Sequence, residues 1–207
     1  MRAEVPTMNE AVRETRDTYD AIAAEFARRT ATAYPDVLGD VDWLARSVPG
    51  GAWVVDAGCG PGRDTALLRT RGLRVVGVDL SAAQLRSGGL PNVVQADMRH
   101  LPVGDAAVHG IWCQAALLHI PHQHVPAVLN EFGRILKVRG QLHLTVAEGD
   151  GEDWEVAANY GSRRRRWFAY HREPDLTTHL ASAGFVVDFS RRARHGRDWL
   201  TLRAHLT

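Results

Sequence analysis

The chain of 207 residues is poor in cysteine, nearly without lysine, and has no long apolar run. Its two cysteines, Cys59 and Cys113, are too few for a disulfide framework, and their separation matches no paired zinc-ligand spacing. No metal is therefore expected, and a reducing, cytoplasmic setting fits. No window approaches the roughly 18 uninterrupted apolar residues of a membrane span. The opening stretch, MRAEVPTMNEAVRETRDTYD, carries Glu, Arg and Asp throughout and lacks the apolar core of a signal peptide. Lys137 is the single lysine among 25 basic residues, an arginine bias to which no function is attached.

What is present suits one globular domain: 45% hydrophobic residues, 24% charged residues, and no internal repeat. A chain of this length buries roughly 70% of its unfolded surface, so its core needs neither metal nor disulfides. The formal net charge of +1 conceals a gradient. Residues 1–50 hold six basic against nine acidic side chains, residues 51–160 nine against eleven, and residues 161–207 ten against four.

Periodicity divides the chain in two. Ala11, Thr15, Tyr19, Ile22 and Phe26 recur at spacings of three and four, predicting a helix over 9–31; Pro35 ends that run, and a second helix is expected over 36–47. From residue 52 short apolar runs alternate with helical patterns: AWVVD, LRVVGVD, NVVQAD, AVHGIWC and QLHLTV, with helices to about Arg71, after Ser81, and over 125–137. Such alternation means βαβ units and a parallel sheet covered on both faces. A further helix is expected from Pro174 to Gly184. FVVDFS and DWLTLRAHL, joined by RRARHG, read as a closing hairpin that adds one antiparallel strand.

The strongest functional signal is Asp56-Ala57-Gly58-Cys59-Gly60-Pro61-Gly62, where a buried strand hands over to a helix. Glycines there allow positive φ and close approach of a ligand, and the helix N-terminus offers free N–H groups. Asp79 ends the next strand, 21 residues after Gly58, where a carboxylate can accept from both hydroxyls of an adenosine ribose. Dinucleotide-binding and S-adenosylmethionine-binding domains share this layout. The spacing G-x-G-x-G differs from the dinucleotide G-x-G-x-x-G, and Asp56 puts a carboxylate where a pyrophosphate would rest. An acid there suits a ligand with an ammonium and a sulfonium.

VVDAGCGPGRDT, VVGVDLS and VVQADMRHLP together resemble the successive ligand-binding motifs of class I S-adenosylmethionine-dependent methyltransferases. The resemblance runs from about Tyr19 to the terminal hairpin. It implies a Rossmann-like α/β/α sandwich around a mostly parallel seven-stranded sheet with an antiparallel C-terminal hairpin strand. On this pattern residues 1–50 form a helical lid, 51–147 the donor-binding core, 148–172 an acceptor-side insert, and 173–207 the terminal helix and hairpin. Asp56, Gly58, Cys59, Gly60 and Gly62 then shape the pocket for the methionine end of S-adenosylmethionine, and Asp79 takes the ribose. Leu80 packs on the adenine, whose edge Asp97 and Met98 read. Cys113, Gln114 and Ala115, in IWCQAALLHIP, lie beside the donor methyl, and Tyr19, in YDAIAAEF, contacts the methionine carboxylate. Many members read K-P-G-G after the fifth helix, whereas this chain reads Lys137-Val138-Arg139-Gly140, a departure that affects one turn. The implied activity is methyl transfer to oxygen or nitrogen of a small molecule, leaving S-adenosylhomocysteine. The alternatives are a non-catalytic nucleotide-binding domain and an NAD(P)-dependent oxidoreductase.

A general base is needed if the acceptor arrives protonated, and His119 is the candidate, with His122 a weaker one; each has a packed or solvated alternative. His119, His122, His124 and Cys113 include acceptable metal ligands, but nothing places them on one face. Residues 111–124 lack the carboxylate a magnesium-dependent enzyme would want. Arg163–Arg166 followed by Trp167 and Phe168 would suit phosphates and stacked bases, but the rest of the chain is net acidic. A solvated loop or a wall of the acceptor pocket is the preferred reading. Trp154, Tyr160, Trp167, Phe168 and Tyr170 could face an aromatic acceptor, and the basic C-terminal segment an acidic one.

Overall fold

The computed structural model describes residues 7–207; the expectations for residues 1–6 lie outside that range. Helices α1 (Met8–Arg29) and α2 (Pro35–Ser47) precede the alternating core of β1 (Trp53–Ala57), α3 (Arg63–Thr70), β2 (Arg74–Asp79), α4 (Ala82–Gly88), β3 (Val93–Gln95) and β4 (Val108–Gln114). Then come α5 (Val125–Ile135), β5 (Leu136–Ala147), β6 (Glu152–Val156), β7 (Arg165–Ala169), α6 (Glu173–Ser182), β8 (Phe185–His195) and β9 (Arg197–Leu206). Seven strands form one sheet in the order β3-β2-β1-β4-β5-β9-β8, and β9 alone runs opposite to the other six.

The sheet carries a core on each face because its central strands are apolar at both parities. Val54 and Trp112 pack with Val37, Val41 and Leu44 of α2 and Leu68 of α3. Val55, Ile111 and Cys113 point the other way, toward Val128, Leu129 and Phe132 of α5 and Leu176 and Leu180 of α6. Helix ends follow their caps: the Thr7 hydroxyl accepts the Glu10 amide at α1, and the Ser81 hydroxyl accepts the Gln84 amide at α4.

Three segments differ from the sequence expectation. RRARHG is no loop: β8 continues through it to His195, and Gly196 alone makes the turn. Lys137–Gly140 belongs to β5, with Arg139 at φ +63 and a register break between Val108 and Gly110 on the facing strand. The insert folds as a separate antiparallel pair, β6 with β7, joined to the main body by a bridge between Glu148 and His171. No helix among the described residues is long and apolar enough to cross a membrane.

Candidate active site

Strand order reverses between β1 and β4, and loops leaving the carboxyl ends of such strands diverge to open a crevice. A cavity of about 810 Å3 occupies that place, roofed by α1, the β6–β7 hairpin and the tip of β8–β9. The glycine loop is its floor. Gly58 has φ +79 and donates to the Val78 carbonyl at 2.7 Å; a Cβ there would run into the Cβ of Ala116. Asp79 ties the two neighbouring loops together, Oδ2 accepting the Gly60 amide and Oδ1 the Ser81 amide, each at 2.8 Å.

Of the fifteen residues expected to bind the donor or act as base, twelve line this one cavity: Tyr19, Asp56, Gly58, Cys59, Gly60, Asp79, Leu80, Asp97, Met98, Gln114, Ala115 and His119. Three do not. Cys113 has the opposite strand parity to Asp56 and Gln114, so its thiol is buried in the α5–α6 core, where desolvation pushes it up to about 12. Gly62 caps α3 at φ +88, where a Cβ would meet the end of the Leu90 side chain. His122 lies behind the insert, its Nε2 donating to the Tyr170 carbonyl at 2.7 Å. Of the aromatic residues of the insert, Tyr160 and Phe168 line the cavity, whereas Trp154, Trp167 and Tyr170 do not. Trp167 and Phe168 are both buried, Phe168 facing the cavity, so neither offers a ring on the outer surface.

Burial governs the charge states. Asp56 is 1% exposed and accepts from the Thr65 hydroxyl at 2.5 Å. Desolvation, reinforced by nearby Asp64, pushes its carboxyl up to about 8. Desolvation also raises Asp79, against the opposing pull of the Ser81 and Gly60 amides. At Asp97 burial works upward too, but hydrogen bonds from Arg99 prevail and hold the carboxyl below its usual range. Cys59 is raised by burial and by Asp56, so its sulfur stays a thiol.

His119 has both ring nitrogens committed. Nδ1 donates to the Trp167 carbonyl at 2.7 Å, which leaves Nε2 to accept the Tyr19 hydroxyl, also at 2.7 Å. Burial, followed by the charge of Arg166, pushes the imidazole down to about 3, so the ring is neutral at physiological pH and weakly basic. The expected general base is thus a poor one, and the histidines do not converge. Among the described residues no group of three or more His, Cys, Asp or Glu side chains is placed to hold a metal ion.

Gln84, Arg197 and Trp199 line the cavity although nothing in the linear sequence singles them out for it. Gln84 is 1% exposed, donates from Nε2 to the Tyr19 carbonyl and, among the described residues, leaves Oε1 without a partner. Its Ser81-x-x-Gln84 spacing is that of a capping box, although the side chain turns toward α1. Arg197 and Trp199 belong to a strand whose charges hide its register, whereas Arg166, in the run expected as a solvated loop or a pocket wall, does line the cavity.

The family described as "Methyltransferase domain" matches residues 55–144. Trans-aconitate 2-methyltransferase of Azoarcus sp. (strain BH72) is 55% identical over 108 residues, 49% of this chain and 42% of that protein. The protein of the same name from Escherichia coli O7:K1 is 31% identical over 175 residues, covering 72% of this chain and 66% of the relative. The chain spans about half the length of the first curated relatives it matches. Among solved structures, the Burkholderia thailandensis 1,6-didemethyltoxoflavin-N1-methyltransferase with bound S-adenosylhomocysteine superposes with a TM-score of 0.80 at 23% identity, covering 100% of this chain and 93% of the other. On its motifs, its sheet and these matches, the chain belongs to the class I S-adenosylmethionine-dependent methyltransferases.

Proposed function

We propose that the protein transfers a methyl group from S-adenosylmethionine to oxygen or nitrogen of a small molecule. The observation that carries this reading is the joint between the glycine loop and Asp79, a buried carboxylate bonded to the Gly60 and Ser81 amides at the edge of the cavity. The residues fit the donor. Asp79 offers its remaining lone pairs to ribose hydroxyls, Leu80, Asp97 and Met98 face the adenine, and Gly58, Cys59 and Gly60 let the methionine end approach the backbone. Asp56 and the free Oε1 of Gln84 offer oxygens to its ammonium. Tyr19, Gln114 and Ala115 complete this end, with residues up to 50 as the lid, 51–147 as the donor core and 148–172 as the acceptor side. When bound, the donor supplies a methyl group on a positively charged sulfur.

The chain's own contribution is then alignment and exclusion of water, which can lower the barrier by several kcal/mol, since in-line displacement needs the acceptor held on one axis. An acceptor that arrives ionised needs no proton removed, which matches the weak basicity of His119. The acceptor side carries Phe26, Tyr160, Phe168 and Trp199 together with Arg166 and Arg197. That lining, and relatives named for trans-aconitate, support an acidic or aromatic small molecule.

Isothermal titration tests the reading. S-adenosylhomocysteine is expected to bind and NAD+ to fail, and Asp79→Ala should weaken the former roughly 10- to 100-fold, the value of one or two hydrogen bonds to a charged acceptor. Preference for NAD+ would overturn the donor assignment, and an unchanged affinity in Asp79→Ala would remove Asp79 from it. Turnover of trans-aconitate with the methyl donor tests the acidic acceptor.

A further inference from the structure

Six arginines line the cavity: Arg16, Arg29, Arg63, Arg166, Arg191 and Arg197. Five have a carboxylate partner, respectively Asp17, Glu25, Asp64, Asp40 and Glu155. Arg166, the most buried of the six at 5% exposure, has none within 4.0 Å among the described residues. Its one hydrogen bond runs from Nη1 to the Tyr19 hydroxyl oxygen at 2.7 Å. Among the described residues Nε, fully buried, donates to nothing, and Nη2 likewise makes no hydrogen bond.

These two atoms share an edge of the guanidinium, and it is the edge that grips carboxylates elsewhere in the molecule. Arg63 holds Asp64 by Nε at 2.6 Å and Nη2 at 3.0 Å, and Arg165 holds Glu14 in the same way at 2.6 and 3.1 Å. Around Arg166 the rings of Tyr19, Tyr160 and Phe168 stand 5.5, 5.3 and 5.0 Å from the charge. Aromatic faces attract a cation but accept no strong hydrogen bond from its edge. A buried guanidinium without an anion is costly, so its retention on a cavity wall calls for an anion from the ligand.

We infer that Arg166 anchors a carboxylate-binding subsite, its Nε–H and Nη2–H taking the two oxygens of one carboxylate in a bidentate pair. The identity of the ligand rests on the methyl-transfer reading, under which both the amino-acid end of the donor and an acidic acceptor carry such a group. Arg166 is held for this task by Tyr19, itself fixed by His119, so the lid helix, the segment after β4 and the insert hairpin meet at one hydroxyl.

The test compares wild type with Arg166→Gln and Arg166→Lys. Titration with S-adenosylhomocysteine and its decarboxylated analogue reads the donor arm. Thermal shifts of ligand-free and S-adenosylhomocysteine-saturated protein with benzoate, phenylacetate and succinate, each against its primary amide, read the acceptor arm. If the subsite serves the donor, Arg166→Gln weakens S-adenosylhomocysteine tenfold or more and leaves the decarboxylated analogue unchanged. If it serves the acceptor, donor-product affinity is retained, and stabilisation by a carboxylate, absent for its amide, disappears in the variant. Equal S-adenosylhomocysteine affinity together with no carboxylate-specific stabilisation that depends on Arg166 overturns the inference and makes the residue a structural cation. Should Arg166→Gln fail to fold, Arg166→Lys supplies the same readouts, keeping the charge without the bidentate edge. Wild type that binds no S-adenosylhomocysteine would defeat the methyl-transfer reading, while the ligand-free carboxylate series would still decide the subsite.

Discussion

At Gly58 one added methyl group would do two kinds of harm. The backbone is at φ +79, and a Cβ would collide with Ala116 on the neighbouring loop. Gly72 shares the conformation, at φ +81, but faces open space. Gly72→Ala is therefore expected to lose about 1 kcal/mol and leave S-adenosylhomocysteine binding unchanged, whereas Gly58→Ala should lose more than about 2 kcal/mol and abolish binding. Urea unfolding and titration of the two variants check this. Residues such as Asp56 and Asp79 were legible because each closes an apolar run at a strand end. Strand parity, by contrast, is invisible where both parities are apolar: Cys113 sits one residue from Gln114 yet serves the opposite core. Nor could a linear reading foresee that Asp56, assigned a charge because of its type, has that charge suppressed by burial in the absence of a cation.

Among the elements, α2 is fastened to the terminal hairpin through a carboxylate that is 1% exposed. Asp40 receives Arg191 of β8 at 2.6 Å and Arg203 of β9 at 2.5 Å. Removing it leaves Arg203 without a carboxylate and Arg191 with only the longer pair to Asp36, so Asp40→Ala is expected to cost about 3 kcal/mol in urea unfolding, whereas Asp42→Ala, on an exposed pair with Arg71, should cost less than about 1 kcal/mol. Equal costs would contradict a fastening role. The parallel strands were readable because their burial makes them continuously apolar. The β6–β7 pair was not, since GEDWEV and RRRRWFA carry charges at positions that only tertiary partners explain: Arg165 meets Glu14 of α1, and Arg166 faces the cavity.

For the molecule as a whole, the charge gradient is largely satisfied internally. Arg165, Arg191 and Arg203 from the basic last segment pair with Glu14, Asp36 and Asp40 from the acidic first one, and Arg192 and Arg197 pair with Glu148 and Glu155. The gradient is visible in the sequence, and in the fold it is self-complementarity. Acid should loosen this assembly partly through buried histidines. Desolvation pushes His171, 5% exposed, down to about 3 and His143, fully buried, down to about 4. Between those values and the unfolded value near 6.5, the unfolded chain binds protons that the folded chain refuses. Their stabilising contribution is complete above pH 6.5 and is lost as pH falls toward the folded values. On going from pH 7 to pH 5, His171→Gln should lose about 2 kcal/mol less stability than wild type; parallel losses in chemical denaturation would contradict this assignment.

Among the described residues the β6–β7 hairpin pairs only with itself and meets the rest of the protein's ladders through the bridge between Glu148 and His171. Exchanging residues 150–170 would therefore break no rung of the seven-stranded sheet, while the glycine loop cannot be altered without disturbing β1, β2 and the loop after β4. One end of the chamber is thus built for replacement and the other for permanence. A replacement segment would leave the sheet's ladder untouched, but it would have to supply again the buried face that Trp167, Phe168 and Ala169 turn toward the body.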